Sequence, residues 1–232
     1  MNQIAKRNSV KQVLSKYGLY TVFCVLVFVL CFTNKNFLTF SNFMLILQQM
    51  APFGVATIGM ILVLITGGID ISVGRVMFIS GVVVGEIIAA APPALMNSPW
   101  LFAVCFGVAI IVGGIFGTIN GVLITKLKIF PFMATLLVGY IARGLGLTIA
   151  GVTKYDVAIL GNIANSRVLG IPVAFLIFLG IAIIGNIILR STTYGKHMMA
   201  IGNNKTAAGQ IGINVDMHII SAYVVCGMLA AV

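Results

Sequence analysis

Asp70, Glu86, Asp156 and Asp216 are the only carboxylates of the chain, and His197 and His218 its only histidines. General acid–base catalysis and metal coordination both need such groups to converge. Nothing in their spacing pairs a nucleophile with a base or assembles a ligand set: Asp156 stands in one polar stretch, while His197, Asp216 and His218 belong to another or to its edge. The cysteines, Cys24, Cys31, Cys105 and Cys226, all fall inside apolar runs, with no C-x-x-C pair and no histidine at ligand spacing. They read as small buried apolar residues, not as a disulfide or a zinc site. No metal, cofactor or catalytic residue is expected on this chain.

Two segments imitate a phosphate-binding loop and lack its key residues. Gly202-Asn203-Asn204-Lys205-Thr206 ends in Lys-Thr but has Asn204 where a glycine must precede the lysine. Gly195-Lys196 is followed by His197 instead of the serine or threonine that would hold magnesium. If ATP drives this protein, another chain must bind it together with its magnesium.

The elements that must position these few groups follow from composition. Of 232 residues, 60% are hydrophobic and 8% charged, with a mean hydropathy of +1.15. A soluble domain carries about 25% charged residues, so the solvent of these elements is lipid. The formal net charge of +10 would point to nucleic acid in a soluble chain. Here Lys and Arg sit mainly between apolar runs, where they act as orientation signals, and no nucleic-acid partner is expected.

A helix needs about 20 mostly apolar residues to cross the hydrocarbon core. Six complete runs satisfy this, approximately Tyr17 to Phe32, Met44 to Thr66, Val76 to Ala91, Trp100 to Thr125, Pro131 to Gly151 and Ile171 to Leu189. A seventh begins near Met217 and is still apolar at Val232. The predicted fold is all-α and polytopic: an N-terminal cytoplasmic segment over residues 1–16, transmembrane helices over 17–189, a cytoplasmic loop over 190–216 and an incomplete span over 217–232. Lys6, Arg7, Lys11 and Lys16 resemble the start of a signal peptide, but Phe32, Asn34 and Lys35 stand where a cleavage site belongs, so the first helix is expected to be retained. With the N-terminus inside, the inner segments hold nine Lys and Arg, including Lys126, Lys128, Arg190, Lys196 and Lys205, against Lys35, Lys154 and Arg167 outside; Arg75 at a span boundary and Arg143 within a span are left out. That excess predicts a cytoplasmic N-terminus.

Within this frame, Thr66-Gly67-Gly68-Ile69-Asp70-Ile71-Ser72-Val73-Gly74-Arg75 separates the second and third spans. Three glycines and an acid at the edge of an apolar region suggest a broken or re-entrant backbone lining or gating a path, with Gly67, Gly68, Asp70, Ser72 and Gly74 as its residues. The alternative is a tight inner turn in which Asp70 caps the next helix through the N–H of Ser72 or Val73. Gly113, Gly117 and Gly121 recur at every fourth position of the fourth span, leaving one face open to a neighbouring backbone. Asn120 beside that face can hydrogen-bond across helices. Arg143 lies well inside the fifth span, where an ionisable group needs a partner. Counted from the outer span ends at about 1.5 Å per residue, it sits roughly 12 Å deep and Glu86 roughly 8 Å deep, which makes them a candidate pair.

Taken together, these segments resemble the permease subunit of bacterial ABC importers for simple sugars, of the ribose, xylose, arabinose and galactoside type. The resemblance runs from Phe37 onward through Ile65-Thr66-Gly67-Gly68-Ile69-Asp70-Ile71-Ser72-Val73-Gly74, Phe130-Pro131-Phe132-Met133-Ala134-Thr135-Leu136, Ala142-Arg143-Gly144-Leu145 and the run from Thr193 to Val215. It implies that the last run, with Gly202, Asn203, Asn204, Ala207, Ala208, Gly212, Ile213 and Asn214, forms the short coupling helix that docks into a separate ATPase subunit. The residue types suit that: Asn203 or Asn204 can cap a helix, Ala207 and Ala208 favour its interior, and Gly212 can end it in the left-handed conformation. The resemblance further implies two ATPase subunits holding ATP and magnesium, a periplasmic or lipid-anchored sugar-binding protein, a second permease copy, and residence in the bacterial inner membrane. Lys205 and Thr206 depart from the acids common in relatives, Arg75 from a usually small residue, and Glu86 from a small and apolar stretch. The family fold has about ten spans of about 20 residues each, so a chain ending inside its seventh is expected to be a fragment or truncated product. An ion-driven secondary transporter, and a permease of this class for a nucleoside or branched-chain amino acid, are the alternatives. The solute and its contacts stay unassigned, Asn120 and Asn186 being weak candidates.

Overall fold

The computed structural model describes residues 2–96, 98–151 and 165–232. Lys154 and Asp156 lie outside the described residues. The chain divides into two compact units, Met1–Leu47 and Gln48–Val232.

In the first unit, α1 runs from Asn2–Thr33. It begins well before the apolar run at Tyr17 because Lys, Gln, Val and Leu carry the helix on through the basic segment without a breaker. Asn34 closes it in a local turn, its Oδ1 accepting the N–H of Asn36 at 2.9 Å. Thr39 then opens α2 (Phe40–Ile65), accepting the N–H of Asn42 at 3.3 Å.

The second unit holds the rest of α2 together with α3 (Val73–Ala90), α4 (Pro99–Thr125), α5 (Pro131–Ala150), α6 (Val173–Ser191), α7 (Thr193–Asn203), α8 (Lys205–Gln210) and α9 (Val215–Ala231). Helix starts carry the expected chemistry. Ser98 accepts the N–H of Trp100 with Pro99 in the first turn, and Pro131 opens α5. A two-residue hairpin, Arg167–Val168 against Ile171–Pro172, turns through Leu169 and Gly170 at φ of 52° and 83° before α6.

Five of these helices are long and apolar enough to cross a bilayer, and Tyr17–Thr33 and Val215–Ala231 are shorter apolar helices. The chain is thus an all-α, polytopic membrane protein. Three apolar clusters form the core of the second unit. One joins Leu62 and Val63 of α2 to Met198 and Ile201 of α7, Ala208 of α8 and Tyr223 of α9; one joins Val76 and Ile79 to Phe116 and to Val138 and Ala142; one joins Val84 and Ile88 to Leu101 and Cys105. Helix α6 buries no residue completely; Gly54 and Ile58 of α2 meet it at Phe178 and Gly185.

Candidate functional site

After Ile65 the chain turns sharply instead of continuing as helix. The N–H groups of Thr66 and Gly68 both reach the Val63 carbonyl, at 3.1 Å each, and Gly67 adopts φ of 75°, a conformation that a side chain would strain. Gly68 has no room for one, since its Cβ would stand 2.5 Å from the Tyr223 hydroxyl oxygen. The turn delivers Asp70 to a position only 2% exposed. There its Oδ1 accepts the Ser72 N–H at 2.8 Å and the Ser72 hydroxyl at 2.6 Å. Asp70 therefore closes an Asx turn on Ser72.

Four helices supply polar side chains around this turn. Asn120 of α4 donates from Nδ2 to Ser72 Oγ at 2.9 Å, Thr135 of α5 accepts the Ile71 N–H at 3.2 Å, and Tyr223 of α9 donates to the Ile69 carbonyl at 3.3 Å. On α3, the Arg75 guanidinium lies over the Tyr140 ring, 4.1 Å from its centroid. Asn120 Oδ1 and Arg75 Nη1 are buried without a hydrogen-bond partner among the described residues. An acceptor and a donor of that kind are what a water or a solute hydroxyl satisfies. Gly67, Gly68, Asp70 and Ser72 thus come together, while Gly74 faces open space outside the network.

Directly against this turn lies the segment that precedes α9. Gly202 abuts the Ile65 carbonyl so closely that a Cβ would collide with it, and Met198 and Ile201, both 0% exposed, pack with Leu62, Val63 and Tyr223. Asn204, not Asn203, caps α8, its Oδ1 accepting the Ala207 N–H at 3.0 Å. Gly212 ends the helix at φ of 88°, and the Ile213 N–H returns to the Ala208 carbonyl at 3.1 Å. Ala208 points inward, while Asn203, Asn204 and Ala207 are exposed. Asn214 then caps α9 through the Met217 N–H at 3.1 Å.

Asp216, in the first turn of α9, takes the Lys126 ammonium at 2.7 Å and that of Lys128 at 3.7 Å. The hydrogen bond from Lys126, with the charges of both lysines, holds its carboxyl below the usual carboxylate range. This bridge ties the end of α4 to the start of α9. Along the rest of that pair, Gly113 sits on Gly227, Gly117 on the Tyr223 carbonyl and Gly121 on Ile220, whose Cα a Cβ would approach to 2.8 Å.

No salt bridge joins Glu86 to Arg143. The ion pairs among the described residues are those of Asp216, and Arg143 is exposed while Glu86 is partly buried. The reason is register. Helix α5 meets α3 through Gly139, at Ser72 and Arg75, and through Gly146, at Phe78 and Ile79. Arg143 falls between these contacts along the helix and is exposed, and Glu86 lies about two turns beyond Ile79, roughly 10 Å further along. Asn186 is exposed on α6.

Sequence reasoning missed the Arg75–Tyr140 stack, the Lys126–Asp216 bridge and a contact between His197 and His218, each of which joins residues from different elements. Among the described residues no group of three His, Cys, Asp or Glu comes together. At the ends of α2, α3 and α4 away from the glycine turn lies a cavity of about 350 Å³, lined among others by Val55, Ser80, Val84, Phe102 and Phe106. Its serine hydroxyl is already donated to the Ala231 carbonyl at 2.9 Å.

A family model described as "Branched-chain amino acid transport system / permease component" matches residues 42–232. The chain is 34% identical to the ribose import permease protein of Bacillus subtilis, over 97% of this chain and 69% of that one. It is 29% identical to the ribose import permease protein of Escherichia coli K12, over 89% of this chain and 64% of that one. It is 30% identical to the D-allose transport system permease protein of the same organism, over 93% of this chain and 65% of that one. The chain thus spans about two thirds of the length of these relatives. No solved structure matches it.

Proposed function

Because the chain belongs to the family of transport permease components whose model it matches, we propose that it is the membrane-spanning subunit of an ATP-driven importer for a monosaccharide. It sits in the bacterial inner membrane with its N-terminus in the cytoplasm, six complete spans, and α9 as the seventh. It works with a second copy, two ATPase subunits that hold ATP and magnesium, and a sugar-binding protein on the outer side. The names of the ribose and allose permeases support a sugar as the solute.

One observation carries the mechanism: Gly202 of α7 rests on the Ile65 carbonyl, so the helix leading into the coupling helix α8 is in direct contact with the end of α2 from which the glycine turn starts. Docking of α8 on an ATPase moves α7, and α7 cannot move without displacing the end of α2 and the Asp70–Ser72–Asn120 network behind it. Packed elements of this kind switch between discrete arrangements. The chain's own work is to convert docking into access; hydrolysis belongs to the partner.

Co-expression with an ABC ATPase, followed by co-purification in mild detergent, tests this. Gly212→Val strains a residue at φ of 88°, and a left-handed conformation costs an ordinary side chain about 1–2 kcal/mol. Association is expected for the wild type and lost in the variant; equal recovery in both, or no recovery of ATPase with a folded wild-type chain, overturns the assignment. The family description favours a second reading, a branched-chain amino acid as solute, which is separated by competition of uptake with unlabelled sugars and with leucine.

A further inference from the structure

His197 of α7 and His218 of α9 face each other across the cytoplasmic segment, Nδ1 of the first standing 3.2 Å from Nε2 of the second. The tautomers can be assigned. Nδ1 of His218 lies 2.8 Å from the Asn214 carbonyl, which only accepts, so Nδ1 carries the proton and Nε2 presents a lone pair. His197 Nδ1 then donates to it.

His218 is held from several sides. Tyr194 stacks on its ring, with centroids 5.6 Å apart and planes 19° apart. The Tyr194 hydroxyl meets Ser221 Oγ at 2.8 Å, and Ser221 in turn bonds the His218 carbonyl at 2.8 Å. Asn214, whose carbonyl fixes the tautomer, is itself fixed as the cap of α9. A ring N–H donated to a backbone carbonyl, with the lone pair of the other nitrogen turned toward the second imidazole, is how a metal-ligating histidine is oriented. Two nitrogens bound at about 2.0–2.1 Å to one tetrahedral ion stand roughly 3.3 Å apart, which is the spacing found here. Both imidazoles are partly exposed, so an ion has access.

We propose that His197 Nδ1 and His218 Nε2 form a two-histidine site for a divalent first-row metal ion, Zn²⁺ or its neighbours, that bridges α7 to α9. Imidazole suits zinc, copper and nickel, and water fills the remaining positions. On binding, the proton shared between the rings moves to Nε2 of His197, and both facing nitrogens become ligands. The ion fastens the segment carrying α7 to the first turns of α9. The site stands whether or not that segment docks on an ATPase.

The test is calorimetric titration of the purified full chain in detergent with Zn²⁺ alone, in a background where Cys24 and Cys31 are serine, beside His197→Gln and His218→Gln. One ion per chain, bound in the low micromolar range and weakened about 10-fold or more by either substitution, is expected. No stoichiometric binding, or unchanged affinity in variants that elute as the parent does, overturns the site. If either variant aggregates, carbethoxylation of the parent chain mapped by mass spectrometry decides: Zn²⁺ protection of both His197 and His218 supports it, and protection of neither overturns it.

Discussion

Ser72 is the residue on which the buried network turns. Its hydroxyl donates to Asp70 and accepts from Asn120, so Ser72→Ala leaves the Asn120 amide without an acceptor at a site 0% exposed. Stranding a buried polar group costs about 1–3 kcal/mol. The variant is expected to melt below the wild type in detergent, while Gly74→Ala, on the open side of α3, keeps or slightly raises the melting temperature; equal melting of Ser72→Ala and wild type would mean that the network contributes nothing. Asp216 makes a prediction in pH. Its carboxyl is depressed on folding, first by the Lys126 hydrogen bond, so its contribution is present above the unfolded value of about 3.9 and is lost as pH falls through the lower folded value. The lysines are well exposed, which limits the contribution to about 1 kcal/mol or less. Thermal melts of Asp216→Asn should fall slightly below wild type at neutral pH and converge with it in acid and in high salt. A gap that persists in acid would rule out the ion pair as its source.

Among the elements, α4 and α9 make the closest approach, and it depends on glycine. At Gly117 a Cβ would meet the Tyr223 carbonyl and stand 2.8 Å from Val224 Cα, both backbone, so the helices would have to part. Overpacking of that kind costs about 1–3 kcal/mol. Gly117→Ala is expected to destabilise the detergent-extracted chain, whereas Gly144→Ala, with nothing within 4 Å, gains helix propensity; stability of Gly117→Ala equal to or above wild type would show that the two helices do not pack this tightly. The glycine stripe is legible in the sequence because its period is local, but its partner is not, since α9 lies far along the chain. The same holds at the turns. Gly67, Gly212 and Asn204 announce their conformations through residue type, because φ above zero and helix capping are properties of a few adjacent residues. Depth is another matter. Glu86 and Arg143 looked level when counted from the ends of their spans, but the register of α3 on α5 is set by Gly139 and Gly146, and hydropathy carries no information about it. Arg75 on Tyr140 and His197 on His218 were invisible for the same reason.

For the whole molecule, the count of basic residues and the Lys126–Asp216 bridge bear on one orientation. The bridge puts the end of α4 and the start of α9 on one side, as an even number of crossings between them requires. With the native cysteines replaced by serine, Lys205→Cys is expected to react with an impermeant maleimide only from the cytoplasmic side, and Ala94→Cys, in the connection between α3 and α4, only from outside; the reverse pattern would invert the topology. The pairing of α4 with α9 also bears on how the protein is made. The partners of the bridge are 90 residues apart, which at about 5–20 residues per second is roughly 5–20 s of synthesis. Until α9 is made, the glycine face of α4 lacks the partner that covers it in the finished fold, and a small-residue face of that kind accepts close approach by other helices. Biogenesis therefore has a vulnerable window that the finished fold conceals, and the chain's yield should depend on what keeps that face unoccupied until α9 arrives.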